Sequence, residues 1–244
     1  MGKWWLALLL WGLWLAPASA DEYRFAGDQF PFLLEQNGAD ISGLGADVSR
    51  RIMERLGLPV KIDVLPWKRV MLMAEKGNVD AVIGPYRTAL RETFMEYTVT
   101  PFYLDRVMLF APAGTGLSWD GDLSALKGKK IAVVRGWSNG DRFDSRRADL
   151  DVTELESLEA GLRAVALGHY DLVVGNLRHA RVVIDGRDLQ WKVEALEPAL
   201  VETGGYITLT RKGRLWALRD KVNQQLIQMR DSGELARLQR AYGF

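Results

Sequence analysis

One short pattern occurs twice in this chain of 244 residues, as GNVDAVIG from Gly77 to Gly84 and as GHYDLVVG from Gly168 to Gly175. In each copy a glycine ends a helical stretch, and an aspartate three residues later precedes a run that is otherwise apolar. Glycine takes the left-handed conformation that stops a helix. A strand that is apolar on both faces belongs in a parallel sheet covered by helices on either side. Two copies therefore predict two α/β units, with the repeated Gly and Asp serving the helix-to-strand join and function lying just beyond them.

The flanking sequence alternates accordingly. DEYRFAG reads as a strand, and GADVSRRIMERLGLP as a helix with Val48, Ile52 and Leu56 on one face and Gly57 as its stop. VKIDVLP is a strand, and PWKRVMLMAEKG a helix that ends at Gly77. Before the second copy, Ile131 to Val134 reads as a strand, and a helix follows Ser157, a suitable N-cap. TPFYLDRVMLFAPAG and LVETGGYITLTRKG are both strand-like and are expected to pair as a hinge. The closing RLWALRDKVNQQLIQMRDSGELARLQRAYGF is helical, broken at Gly233, and returns to the first unit. The expected architecture is α/β and two-lobed, with residues 21–109 plus 205–244 in lobe one and 110–204 in lobe two.

The first twenty residues are of another kind. Lys3 precedes an apolar run from Trp4 to Leu15 and a small-residue ending, Ala18-Ser19-Ala20. The run is too short to cross a bilayer core of about 30 Å comfortably, and the A-x-A ending marks a secretory signal cleaved after Ala20. A periplasmic location follows. The chain has no Cys, so neither disulfides nor a lipid-modified Cys are available. It carries 32 Lys and Arg against 31 Asp and Glu, and loss of the leader with Lys3 brings them to equality. Such a balance argues against nucleic acid as a partner, because that binding depends on neutralising phosphates. A small molecule or a protein is expected instead.

In open α/β sheets ligands sit beyond the carboxyl ends of the strands. After the first copy of the pattern come Gly84, Tyr86, Arg87, Thr88 and Arg91. A turn entering a helix presents free backbone N–H groups, and an Arg one turn on can clamp a carboxylate through two parallel hydrogen bonds. Arg91 is assigned that role, and Arg87 a surface pairing with Glu92 or Glu96. After the second copy stands Asn176, able to donate and to accept. After another strand, VVRGWSNGD supplies Gly136, Trp137 and Ser138. Phe30, Phe32 and Trp67 follow strands and serve either as pocket walls or as core, whereas Trp119, Trp191 and Trp216 are read as packing.

Catalytic groups are sparse. His169 and His179 are the two histidines, outside any metal-ligand spacing, and neither a Cys nucleophile, a G-x-S-x-G elbow nor a P-loop is present. No metal and no cofactor are expected. Asp28, Glu35 and Asp141 remain candidates for an acid or base if the scaffold carries an enzyme.

In order and spacing, GLGADVSRRIMERLG, PWKRVMLMAEKGNVDAVIGPYRTALRETFMEYTVTPFY, LKGKKIAVVRGWS, GHYDLVVGN and DSGELARLQRAYGF resemble the bacterial extracellular solute-binding proteins of family 3. These are periplasmic receptors that deliver polar amino acids and related solutes to ABC importers. The resemblance implies the two-lobed, type II periplasmic binding-protein fold, monomeric, with a permease as partner. It implies Arg91 as the carboxylate clamp, helped by Gly84, Tyr86 and the turn at Trp137 and Ser138. Two positions depart from the family pattern: Tyr86 stands where Ser or Thr is frequent, and Asn176 where an Asp meets the ligand amine. Some similar proteins are dehydratases acting on prephenate or arogenate, and others feed sensors, so both remain as alternatives.

Overall fold

The computed structural model describes residues 22–244, and its elements follow the alternation read from the sequence; the leader assigned to residues 1–20 lies outside the described residues. β1 (Tyr23–Gly27) leads to a small hairpin of β2 (Glu35–Asn37) and β3 (Asp40–Ser42), then to α1 (Leu44–Arg55) and β4 (Val60–Val64). α2 (Trp67–Lys76), β5 (Ala81–Tyr86), the single-turn α3 (Ala89–Glu92) and β6 (Met95–Tyr97) complete this part of lobe one. β7 (Tyr103–Pro112) crosses to lobe two, which holds β8 (Lys130–Val134), α4 (Asp141–Asp144), β9 (Asp151–Leu155), α5 (Leu158–Ala166), β10 (Leu172–Asn176) and α6 (Leu177–Gly186). β11 (Val193–Thr210) crosses back, and α7 (Arg219–Asp231) and α8 (Glu234–Ala241) follow it.

Each lobe has a parallel core, β4-β1-β5 in one and β9-β8-β10 in the other. The two crossing strands are paired antiparallel from Tyr103 opposite Gly205 to Pro112 opposite Val193, with an irregularity between Leu196 and Val201. β11 also pairs with β5, and β7 with β10. The hinge is therefore a hydrogen-bonded ladder that fuses both sheets, in the order β4-β1-β5-β11-β7-β10-β8-β9, with β6 added on β11.

The repeated pattern makes the same joint twice. α2 ends at Gly77 (φ 74°) and α5 is followed by Gly168 (φ 75°), both in the left-handed region where a Cβ is strained. The chain then reverses onto the neighbouring parallel strand. The Asp80 carboxylate accepts from the Arg24 N–H at 2.9 Å, and its own N–H donates to the Arg24 carbonyl at 2.7 Å. Asp171 does the same with Lys130, at 2.7 and 3.0 Å. Each aspartate thus satisfies a backbone donor at the start of a strand that a parallel ladder leaves open. Asp80, which is buried, also accepts from the Arg214 N–H at 2.8 Å and so ties the C-terminal segment to lobe one.

α7 and α8 belong to that lobe for a packing reason. Val222, Leu226 and Leu235 share one core with Ile52 of α1 and Phe25 of β1. Glu234 pairs with Arg51 at 3.1 Å and with Arg55, and the Tyr242 hydroxyl donates to Asp47 at 2.7 Å. The sheet of lobe two is covered on both faces, by Leu109, Ile131 and Phe143 on one and by Phe110, Leu162 and Val173 on the other.

The tryptophans read as packing divide. Trp119 is buried, its indole N–H bonded to the Pro198 carbonyl at 2.7 Å, and Trp216 is half-buried between the guanidinium groups of Arg211 and Arg219. Trp191 is 87% exposed, which corrects the expectation: it lies in the turn between α6 and β11, outside any amphipathic period that would carry it inward.

The two joints differ in what their loss exposes. Asp80→Ala orphans two backbone donors beside a buried carboxylate site and is expected to lower stability by about 2–3 kcal/mol, against about 1 kcal/mol for the more exposed Asp171→Ala. Urea unfolding of both variants checks this; equal losses would contradict it.

Candidate functional site

The tips of β5 and β8 face each other across the cleft. Gly84 has φ 87°, and a Cβ there would lie 2.9 Å from the Leu33 side chain and 3.2 Å from the Tyr103 hydroxyl, which itself donates to the Gly84 carbonyl at 2.9 Å. Only glycine lets the strand end so close to those groups. Thr88 is the N-cap of α3, its hydroxyl accepting from the Arg91 N–H at 3.2 Å. This one-turn helix swings Arg91 back toward the strand ends. The Arg91 guanidinium donates to the Tyr86 carbonyl at 2.9 Å and to the Gly136 carbonyl of lobe two at 3.3 Å, and it stands 5.2 Å over the Trp67 ring. The Trp67 indole N–H reaches the same Gly136 carbonyl at 3.1 Å. Two donors from lobe one thus converge on one acceptor from lobe two.

Arg91 is 8% exposed, and burial lowers its pKa from the ordinary arginine value. It remains a cation, held in a buried site where an anion is attracted more strongly than in water. Arg87, by contrast, pairs with Glu92 at 3.0 Å on the surface, as read from the sequence.

Aromatic rings bridge the same gap. Phe30 of lobe one lies 5.8 Å from Trp137 and 4.9 Å from His179, and these two lobe-two rings are 5.8 Å apart. Burial pushes the His179 pKa down to about 4, so the imidazole is neutral near pH 7 and acts as a third ring. The Ser138 hydroxyl donates to Asp144 at 3.0 Å, and Asp144 also accepts from the Asn139 N–H at 3.0 Å, which fixes the turn after β8.

A cavity of about 50 Å³ lies between these groups. Seven of the nine residues expected from the sequence line it: Gly84, Tyr86, Arg91, Trp67, Phe30, Trp137 and Ser138. Thr88 and Asn176 are outside the lining. Thr88 is occupied by the cap. Asn176 is buried, with its amide N–H₂ donating to the Tyr86 hydroxyl at 3.2 Å and its oxygen accepting from the His179 N–H at 3.0 Å to cap α6. Behind it, Tyr86 donates to Asp105 at 2.8 Å, and Arg178 pairs with the same carboxylate. Burial raises the Asp105 pKa, with Arg178 opposing the shift. This network joins β5, the hinge and α6, and the donor and acceptor of Asn176 are both engaged within it.

Asp28, considered from the sequence as an acid or base alone, lies at the cavity wall. It also lines a second, larger space of about 420 Å³, together with Trp67 and Trp137. The position one residue beyond β1 was the available signal, since β1 is a neighbour of β5 and the same strand-tip rule applies to both. Its carboxylate accepts from the Gln29 N–H at 2.9 Å, and burial raises its pKa from 3.8 to about 6.

Two lobes joined by a hinge, with a cleft between them lined by aromatic and charged side chains, are the build of a binding protein. Residues 23–244 match the bacterial extracellular solute-binding proteins, family 3, and the chain belongs to that family. The probable amino-acid-binding protein YxeM of Bacillus subtilis (strain 168) is 23% identical over 219 residues, covering 88% of this chain and 81% of that protein. A histidine kinase sensor domain with similarity to periplasmic binding proteins superimposes with TM-score 0.80 at 17% identity, covering 91% of this chain and 96% of that one. The substrate-binding protein of an amino acid ABC transporter gives 0.73 at 22% identity, covering 90% and 98%. These likenesses bear out the two-lobed periplasmic binding-protein fold. The family is one of binding proteins rather than enzymes.

The raised pKa of Asp28 has a sign that is open to test. The folded state holds the proton more tightly than the unfolded chain, so the ionised carboxylate costs stability above pH 6, and the cost fades as pH falls toward 3.8. Asp28→Asn is expected to stabilise the ligand-free protein at pH 7.5 by about 1–2 kcal/mol, after allowance for solvent screening at a partly exposed group. The gain relative to the parent should vanish near pH 4 in urea unfolding; a loss of stability at pH 7.5 would contradict the assignment.

Proposed function

We propose that this protein captures a small polar carboxylate, an amino acid or a related compound, in the periplasm and presents it to an ABC importer. The observation that carries the proposal is the buried Arg91 guanidinium, reaching from lobe one to a carbonyl of lobe two. A ligand carboxylate is a better acceptor for that fork than a neutral carbonyl, because both partners are charged and two parallel bonds form. It would take the place of Gly136 at Arg91 and accept from the Ser138 backbone N–H, while the Trp137 N–H stays bonded to the Val134 carbonyl and the Ser138 hydroxyl to Asp144. Gly84 and Tyr86 shape the lobe-one side, with Thr88 holding α3 and Asn176 holding Tyr86 and α6 in place. Phe30 and Trp67 close the apolar wall.

One ligand contacting both halves shifts the population toward the closed form, by as much as its affinity for closed exceeds that for open. In this reading the moving bodies are residues 21–109 plus 205–244 and residues 110–204. The leader is removed after Ala20, the receptor works as a monomer, and a membrane permease recognises the closed shape. The amino acid ABC transporter protein among the similar structures, and the name of the Bacillus subtilis relative, support this destination. The likeness to a histidine kinase sensor domain favours a second one, in which the same closed form reports to a membrane sensor.

Isothermal calorimetry with a panel of amino acids and organic acids tests the clamp. Arg91→Ala is expected to weaken every carboxylate that binds by about 100-fold or more, and Arg91→Lys, which keeps the charge and loses the fork, by about 10-fold. Unchanged affinity in Arg91→Ala would remove Arg91 from the site.

A further inference from the structure

Besides the cleft contacts of Arg91, Trp67 and Phe30, a second set of contacts joins the lobes at the hinge. It centres on Tyr86, at the end of β5, which packs against the core of lobe one and against one core of lobe two. The Tyr86 hydroxyl donates to Asp105 of β7 at 2.8 Å and accepts from the Asn176 amide of lobe two at 3.2 Å. Tyr86 touches the cavity, but Asn176, Asp105 and the groups beyond them stand outside its lining.

Asp105 sits where the lobes diverge, on β7 just before its pairing with β10 begins at Val107. Its side chain is 1% exposed, and its two side-chain donors come from opposite lobes, the Tyr86 hydroxyl from one and the Arg178 guanidinium of α6 from the other. Arg178 in turn lies 3.6 Å from the centre of the Phe244 ring, which meets Tyr103 of the lobe-one core edge-on at 5.3 Å. The start of α6 is thus held to lobe one twice, by its N-cap Asn176 at Tyr86 and by Arg178 at Phe244. A buried carboxylate that draws its donors from two bodies loses one when the bodies separate, and a buried charge left short of partners is costly.

We infer that Tyr86, Asn176, Asp105, Arg178 and Phe244 form a latch that holds the lobes mostly closed before any solute binds. The Arg91 and Trp67 bonds to Gly136 lie in the ligand's path, whereas the latch lies behind it. A ligand that takes Gly136's place at Arg91 leaves the latch bonds intact, so they favour the closed form with or without a ligand. Less of the ligand's binding energy then goes into closing the lobes, and affinity rises with the closed fraction. The latch acts between the lobes alone and is the same whichever solute is captured.

The chain has no Cys, so a pair of introduced cysteines takes spin labels at two known places. Arg69 of α2 and Arg163 of α5 are exposed, on helices that begin at opposite walls of the space of about 420 Å³. Pulsed dipolar spectroscopy on an Arg69→Cys, Arg163→Cys background, unfolded and refolded to strip bound solute, reads the distribution of lobe separations. The parent is expected to show mainly the separation of this structure. Tyr86→Phe keeps the ring and loses both hydroxyl bonds, and Phe244→Ala removes the outer contact far from the cavity. Each is expected to lower the ratio of closed to open by about 10-fold, and the two together by about 100-fold, with thermal melting to confirm folding. A parent that shows only a wider separation overturns the latch. So does a double variant that melts lower yet keeps the parent's distribution, since the network would then serve packing alone.

Discussion

A guanidinium removed from water is costly unless its surroundings replace the lost hydration, and much of the inner cleft is organised around that requirement at Arg91. Trp67 provides an aromatic face, Tyr86 one carbonyl and Gly136 another. Each of these depends on something local. Thr88 caps the single turn that aims Arg91, Gly84 permits the strand end to lie against Leu33 and Tyr103, and the left-handed turn at Gly136 presents its carbonyl across the gap. The partner from lobe two is the weakest of the three, at 3.3 Å and neutral. In the proposed binding mode it is the one that a ligand carboxylate replaces.

The hinge gives that exchange mechanical meaning. β7 and β11 belong to both sheets, so the lobes are tied through one antiparallel ladder, while their buried residues form separate clusters with Tyr86 packed against one of each lobe. The ladder is irregular between Leu196 and Val201 and again, against β5, between Gly205 and Ile207. In the proposed closure, motion flexes these two strands. Direct contacts already join the lobes, through Gly136 and through the Phe30, Trp137 and His179 rings. A ligand contributes only the difference between its own bridging contacts and those it displaces. Charge complementarity is the efficient way to make that difference large.

Much of the scaffold was legible in the sequence, because its rules are local. The Gly-x-x-Asp pattern, the Ser157 cap and the alternation of helical and extended periods depend on neighbours within a few residues, and all appear where expected. The strand-tip rule found the residues around Arg91 for the same reason. What was not legible depends on partners far along the chain. Asn176 has the capacity to bind a ligand, yet Tyr86, 90 residues away, takes its donor and the start of α6 takes its acceptor. Asp28 reaches the cleft because β1 lies beside β5, a pairing between residues more than fifty positions apart. Trp191 has the apolar ring of a core residue and sits exposed in a turn, uncovered among the described residues.

The central claim is that one small anion takes over the Arg91 fork from the Gly136 carbonyl. A crystal structure of the protein grown in a saturating amino acid tests it most directly. The account predicts a carboxylate within hydrogen-bond distance of both terminal nitrogens of Arg91, and the bond to Gly136 broken. An amino acid lodged elsewhere, with Arg91 still bonded to Gly136, would contradict it.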